Sequence, residues 1–204
     1  MRRSLLGRKL AALPDAPAPL SLADCSLLPR TGFKGRGAPE WLAANGIELP
    51  RAPNIATRQA DGTLVARLSN EEHLLLAPFA GEPGAVDRLD GAWSLDGAPG
   101  CYRLPRADSH AWLRLVGAAA DAMLAKLCGV DLRPHKFAEG AVAQTSVARL
   151  SAIAIRDDLD GTLAYHLLCD SASAEYLWDC LLDAMAEFGG AAVNLDALRR
   201  LGRS

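Results

Sequence analysis

Gly32-Phe33-Lys34-Gly35-Arg36-Gly37 is the stretch of this chain whose residue types come nearest to chemistry. Glycines let a backbone wrap an anion and cations neutralise it, which is how phosphate loops work. The spacing fits neither G-x-x-x-x-G-K-[ST] nor the dinucleotide pattern G-x-G-x-x-G. The composition therefore predicts a flexible, solvent-exposed loop whose Arg30, Lys34 and Arg36 suit a protein or anion contact. Asp157, Asp158 and Asp160 form a second cluster, and paired carboxylates can perform acid–base work or hold cations. They sit in Asp157-Asp158-Leu159-Asp160-Gly161 between two apolar runs, where Asp and Gly make turns. Glu71-Glu72 reads the same way. No G-x-S-x-G nucleophile elbow occurs. His73, His110, His135 and His166 are scattered, with no H-x-x-H or C-x-x-C spacing for a metal. No residue is assigned a catalytic, cofactor-binding or metal-ligating role, and Arg30, Lys34 and Arg36 stand as interface candidates.

Composition narrows the class further. Of 204 residues, 22 are Lys or Arg and 24 are Asp or Glu, for a formal net charge of −2. That balance gives no electrostatic footprint for nucleic acid or an anionic membrane. Half the residues are apolar, so a sizeable core is available. The five cysteines, Cys25, Cys101, Cys128, Cys169 and Cys180, are odd in number and form no C-x-x-C pair. They read as reduced and structural. Arg8 and Lys9 interrupt the apolar residues near the N-terminus, so no signal-peptide core forms. No run approaches the ~18 apolar residues of a spanning helix. The expectation is a soluble, cytoplasmic protein whose residues 1–23, with Pro14, Pro17 and Pro19, form a flexible or docking arm.

The elements that position these residues are organised as a repeat. Val65-Ala66-Arg67-Leu68-Ser69 recurs 82 residues later as Val147-Ala148-Arg149-Leu150-Ser151, and Gly35 maps onto Gly117 in the same register. In the later copy, Ala111 to Val116 alternates as a strand. Ala120, Met123, Leu124, Leu127 and Cys128 mark one face of a helix, and Gly129 stops it. A long β-rich stretch runs from Ala141 to Arg156, and Thr162 to Cys169 returns beside it. A last helix buries Ala174, Leu177, Trp178, Leu181, Leu182, Met185 and Phe188, and Ala191 to Asn194 closes as a short strand. The earlier copy reads as a strand over Ser26 to Phe33, a helix over Ala38 to Asn45, and a hairpin of Thr63 to Ser69 with His73 to Ala77. A helix over Val86 to Trp93 and a strand over Cys101 to Pro105 complete it. The order is β-α-β-β-α-β, the split βαβ or ferredoxin-like motif. The expected fold is α+β: a tandem repeat with halves at 24–107 and 108–194, a tail at 195–204, and one compact unit overall.

Several short motifs bear a resemblance. Leu28 to Leu42 (LPRTGFKGRGAPEWL), Pro53-Asn54, Asp61-Gly62, Ala111 to Leu132, Ala143-Gln144-Thr145 and Ala174-Glu175-Tyr176-Leu177-Trp178 resemble the gamma subunit of heterotetrameric sarcosine oxidase. The similarity covers roughly residues 24 to 189. That family resembles in fold the folate-binding domain of the glycine-cleavage T-protein. The resemblance implies a non-catalytic accessory subunit in a complex with alpha, beta and delta subunits that oxidatively demethylates an N-methyl amine. It implies FAD, FMN, NAD and tetrahydrofolate held mainly by the larger subunits, with none bound by this chain alone. A free-standing folate-binding, aminomethyltransferase-like protein is the alternative. The K-G-C-[YF]-x-G-Q-E signature of the related iron–sulfur cluster repair protein is absent, since Arg103-Leu104 follows Cys101-Tyr102.

Overall fold

A computed structural model of the chain describes residues 4, 6–10, 13–79 and 84–201. Parts of the expected arm (residues 1–3, 5, 11 and 12) and of the expected tail (residues 202–204) lie outside the described residues. In chain order the strands are β1 (Ser21–Asp24), β2 (Arg30–Lys34), β3 (Ile55–Arg58), β4 (Leu64–Arg67), β5 (Glu72–Leu76), β6 (Tyr102–Leu104), β7 (His110–Val116), β8 (Val142–Val147), β9 (Leu150–Arg156), β10 (Ala164–Asp170) and β11 (Ala191–Ala192). The α-helices are α1 (Ala38–Ala44), α2 (Ala85–Ala92), α3 (Arg106–Ser109), α4 (Ala120–Leu124), α5 (Ala174–Met185) and α6 (Leu195–Leu201). None of the described helices is long and apolar enough to cross a membrane.

The chain divides into two compact units, one of Leu28–Ser109 and one of Met1–Leu27 with His110–Ser204. The smaller unit is a five-stranded antiparallel sheet in the order β3-β4-β5-β2-β6. Phe33, Val65 and Leu75 on one face of that sheet pack with Ala38 and Leu42 of α1 and Ala85, Val86 and Leu89 of α2. Pro39 sits in the first turn of α1, where a missing N–H costs nothing. Asp61 starts α2: its carboxylate accepts from the Ala85 N–H at 2.7 Å and from the Thr63 N–H at 2.9 Å. Burial alone would raise this carboxyl, but those hydrogen bonds and nearby Arg88 outweigh it and hold it below its ordinary range.

The larger unit is a six-stranded sheet in the order β11-β1-β7-β10-β9-β8. All its pairs are antiparallel except β1 with β11. β7 and β10 lie at its centre and are buried along nearly their whole length, as continuous apolar runs should be. α5 buries Ala174, Leu177, Trp178, Leu181, Ala184 and Met185 along one stripe, and these join Leu113, Leu115, Leu167 and Met123 in a single core. Each such aliphatic or aromatic side chain removed from water contributes about 1.5–3 kcal/mol.

Several expectations need correction. Residues 30 to 34 are not a loop: Arg30 to Lys34 form β2, between β5 and β6, and only Gly35 and Arg36 lie in a turn. The stretch from Ala141 to Arg156 is two strands, because Ala148 and Arg149 both take positive φ (49° and 66°) and turn the chain tightly between Val147 and Leu150. This explains why the five-residue match misleads: Ala66 and Arg67 are paired strand residues of β4, whereas Ala148-Arg149 is a hairpin turn. The Gly35 and Gly117 match does better, for both glycines end a strand with positive φ (120° and 150°). A Cβ on Gly117 would stand 2.4 Å from the Pro19 carbonyl. The expected arm supplies β1, and Leu6 and Leu20 are fully buried in the core of the larger unit. β3 was not foreseen. The expected tail contains α6, with Ala197 and Leu198 buried.

Candidate functional site

The three interface candidates all belong to the smaller unit, and the structure separates one from the other two. Arg30 is only 2% exposed; its guanidinium donates to the carbonyls of Leu28 and Ala107, each at 3.0 Å. It lies at the far end of β2 from Lys34, about 13 Å along the strand. Those two carbonyls take up donors of a guanidinium that burial would otherwise leave unsatisfied. The expected exposure of Arg30 is thus overturned.

Lys34 and Arg36 do meet solvent. Lys34 Nζ stands 2.9 Å from Glu72 Oε2, with more than half of its side chain exposed. Arg36 is 94% exposed, and its nearest approach to Glu71 is 3.9 Å through Nε. Glu72 also pairs with Arg106. Burial would raise the Glu72 carboxyl, but Lys34 and Arg106 hold it below the ordinary range. Glu71 and Glu72 thus set the cations at the end of β2.

The turn carrying Arg36 is fixed by backbone contact. The Gly37 N–H donates to the Gly100 carbonyl at 3.0 Å. A Cβ would stand 2.2 Å from Gly100 O at Gly35 and 2.1 Å from Pro99 O at Gly37. The glycines serve close backbone approach, not anion wrapping.

His73 is fully buried on β5, across from Phe33 and Arg67. Neither of its ring nitrogens meets a hydrogen-bond partner among the described residues. Burial, with help from Arg67, pushes its pKa from 6.5 down to about 4, against a smaller opposing pull from Glu72.

The larger unit holds a buried polar network that sequence reasoning missed. Trp112 Nε1 donates to His166 Nδ1 at 2.9 Å, and His166 Nε2 stands 2.9 Å from Asp157 Oδ2 and also against Arg114 Nη1. Arg114 Nη1 donates to the same Asp157 oxygen at 3.0 Å, and Nη2 to the Asp157 carbonyl at 2.7 Å. β7 contributes Trp112 and Arg114, β10 contributes His166, and Asp157 follows β9. The four residues are at least 90% buried and brace the centre of the sheet. The legible signal was Arg114 inside the apolar run Ala111 to Val116, since a buried guanidinium demands a carboxylate. Asp157 was read only as a turn residue; the turn itself is made by Asp160 and Gly161, both at positive φ.

A groove of about 450 Å³ on the larger unit is lined by His110, Gln144, Thr145, Ser146, Ser151 and Ile153 among others. None of its lining residues is Lys, Arg, Asp or Glu. No group of three His, Cys, Asp or Glu that could hold a metal occurs among the described residues. The five cysteines are free thiols, and burial pushes those of Cys101 and Cys169 up to about 11.

Comparison with known proteins places this geometry. The GCVT N-terminal domain model matches residues 54–202. Sarcosine oxidase subunit gamma from Corynebacterium sp. (strain U-96) is 33% identical over 151 residues, which cover 74% of this chain and 70% of that one. A chain of heterotetrameric sarcosine oxidase from Corynebacterium sp. U-96 superposes with a TM-score of 0.74 at 28% identity, covering 94% of this chain and 98% of that one. The glycine cleavage system aminomethyltransferase T from Bartonella henselae shares the fold, with a TM-score of 0.64 at 17% identity over 92% of this chain and 51% of that one. The mixed α+β fold is therefore that of the aminomethyltransferase folate-binding domain, and the chain belongs to the sarcosine oxidase gamma-subunit family within the GCVT group.

Proposed function

We propose that this chain is the non-catalytic, gamma-type accessory subunit of a heterotetrameric complex that oxidatively demethylates an N-methyl amine such as sarcosine. The observation that carries this reading is whole-chain correspondence: 94% of this chain superposes on 98% of a chain of heterotetrameric sarcosine oxidase. The likeness to the aminomethyltransferase, by contrast, spans only about half of that protein. In this reading alpha, beta and delta subunits complete the complex in the cytoplasm. FAD, FMN, NAD and tetrahydrofolate are held by the larger partners. Lys34 and Arg36 belong to the surface that meets them.

The two units read as tandem copies of β-α-β-β-α-β. Their strand orders support this, β3-β4-β5-β2-β6 in one and β8-β9-β10-β7-β1-β11 in the other, with β1 as an addition. So does the shared entry into the first helix: the Ala38 N–H bonds the Gly35 carbonyl, and 82 residues on the Ala120 N–H bonds the Gly117 carbonyl.

Co-expression with the larger flavoprotein subunits tests the function. The chain co-purifies in fixed stoichiometry, and without it the complex loses yield or stability. The isolated chain is colourless and does not turn over sarcosine. Calorimetry with tetrahydrofolate separates the alternative: micromolar binding by the isolated chain would identify a folate-binding, aminomethyltransferase-like protein instead.

A further inference from the structure

The chain has four asparagines, Asn45, Asn54, Asn70 and Asn194, and only Asn45 is followed by glycine. An asparagine loses its amide when the next residue's backbone nitrogen attacks its Cγ. A side chain on that next residue shields the nitrogen and stiffens the backbone, and glycine has none. Ile55, Glu71 and Leu195 follow the other three. The fold requires this glycine for a separate reason, because α1 ends there in a Schellman stop. The Ile47 N–H reaches the Leu42 carbonyl at 3.1 Å and the Gly46 N–H reaches the Ala43 carbonyl at 3.0 Å, with Gly46 at φ 77°. Asn45 caps the helix, and its Nδ2 donates to the Trp41 carbonyl at 2.8 Å. Gly46 is exposed, and a Cβ built on it would meet nothing within 4 Å, so the turn stands open to solvent.

We propose that Asn45-Gly46 is a self-modification site at which the chain converts its own helix stop. A base in solvent takes the Gly46 N–H proton, and the nitrogen bonds to Asn45 Cγ. The Cγ–Nδ2 bond breaks, and Nδ2 leaves as ammonia after taking a proton from solvent. The imide ring then adds one water and opens at either carbonyl, which leaves an aspartyl or isoaspartyl residue at position 45. In the closed stop the Gly46 N–H is engaged by Ala43, so the reaction runs through molecules whose last turn of α1 has frayed. A seven-residue helix holds that turn weakly by itself. Arg88 of α2 reinforces it, donating from Nη1 to the Asn45 carbonyl at 2.8 Å. The product closes the stop less well. Its carboxylate has lost the N–H that the Trp41 carbonyl accepted and sets a negative charge at the negative end of the helix. The isoaspartyl form also lengthens the backbone by a methylene. Leu42 and Ile47, both buried in the core of the smaller unit, lie on either side of the change. Conversion therefore loosens α1 and marks the age of the chain irreversibly.

The test is a time course of the full-length chain in mildly alkaline buffer, folded and in urea, read by peptide mapping with mass spectrometry. Conversion should accumulate at position 45 of the folded chain while Asn54, Asn70 and Asn194 keep their amides, and it should be faster in urea. Arg88→Ala removes one hydrogen bond from the stop through an exposed side chain. It should keep the parent circular dichroism and convert roughly two- to tenfold faster, in line with the larger frayed population. An amide at position 45 that persists in the folded chain while converting in urea overturns the proposal, because the stop then seals the site. Equal conversion at all four asparagines overturns the role given to Gly46. An unchanged rate in folded Arg88→Ala overturns gating by the frayed turn. Should Arg88→Ala unfold, the parent time course alone decides the site.

Discussion

His73 makes the stability of the smaller unit depend on acidity between pH 6.5 and about 4. In the folded chain the imidazole is buried without a hydrogen-bond partner among the described residues, and its pKa falls from 6.5 to about 4. Between those values the unfolded chain takes up a proton that the folded chain refuses. Stability therefore rises with pH through this window and is lost as pH falls from 6.5 towards 4. A shift of this size corresponds to about 3 kcal/mol once complete, at roughly 1.4 kcal/mol per unit. His73→Leu fills similar space and cannot take up the proton. It also removes two unsatisfied ring nitrogens, each a desolvation cost of about 1–3 kcal/mol. Urea unfolding of both chains at pH 7.5, 6.5, 5.5 and 4.5 isolates the effect, because every other group is common to both. The variant should be the more stable at every pH, with its advantage growing by about 2–3 kcal/mol from pH 7.5 to 4.5. If the two stability curves run parallel across that range, the imidazole is not held neutral by burial and the reasoning fails.

Three further outcomes follow from the packing. Asp157→Ala strands Arg114 and His166 in the interior and should cost about 3–5 kcal/mol in urea unfolding, whereas Asp157→Asn, which keeps an acceptor oxygen, should cost less. Gly37→Ala drives a methyl into the Pro99 carbonyl 2.1 Å away and should lower the melting temperature by roughly 5 °C, although its φ of −83° suits alanine. Asp61→Ala removes the carboxylate at the start of α2 and should cost about 1 kcal/mol at pH 7. Because this carboxyl is held below 3.8, the difference between the two chains should persist down to that pH and vanish only under stronger acid.

The helices and central strands were legible because their signals are local. The apolar stripe of α5 and the continuous run of β7 state their burial outright. What was not legible depended on long-range pairing. β1 is four residues long and forms only because β7 and β11 flank it. The Ala148-Arg149 turn carries none of the Gly or Asn that usually announces positive φ. Arg30 looked like a loop cation because glycines and charges follow it. Its burial is set by the carbonyls of Leu28 and Ala107, and the latter comes 77 residues later. The Trp112–His166–Asp157–Arg114 network was half visible, in an arginine placed where only apolar residues belonged.

The pairing of β1 with β11 also constrains how the protein is made. Ser21 sits beside Ala191, so β1 waits on the ribosome for a partner made 170 residues later. At about 5–20 residues per second, that interval is roughly 10–35 s. Leu28–Ser109 is continuous in sequence and complete before the stretch from His110 onward is made, so it can fold while the ribosome is still working. The other unit cannot, and the edges of β1 and β7 stay uncovered until β10 and β11 emerge. Nascent chains stalled before Ala191 should therefore contain one protease-resistant unit followed by a long cleavable remainder, and they are the forms of this protein most exposed to aggregation.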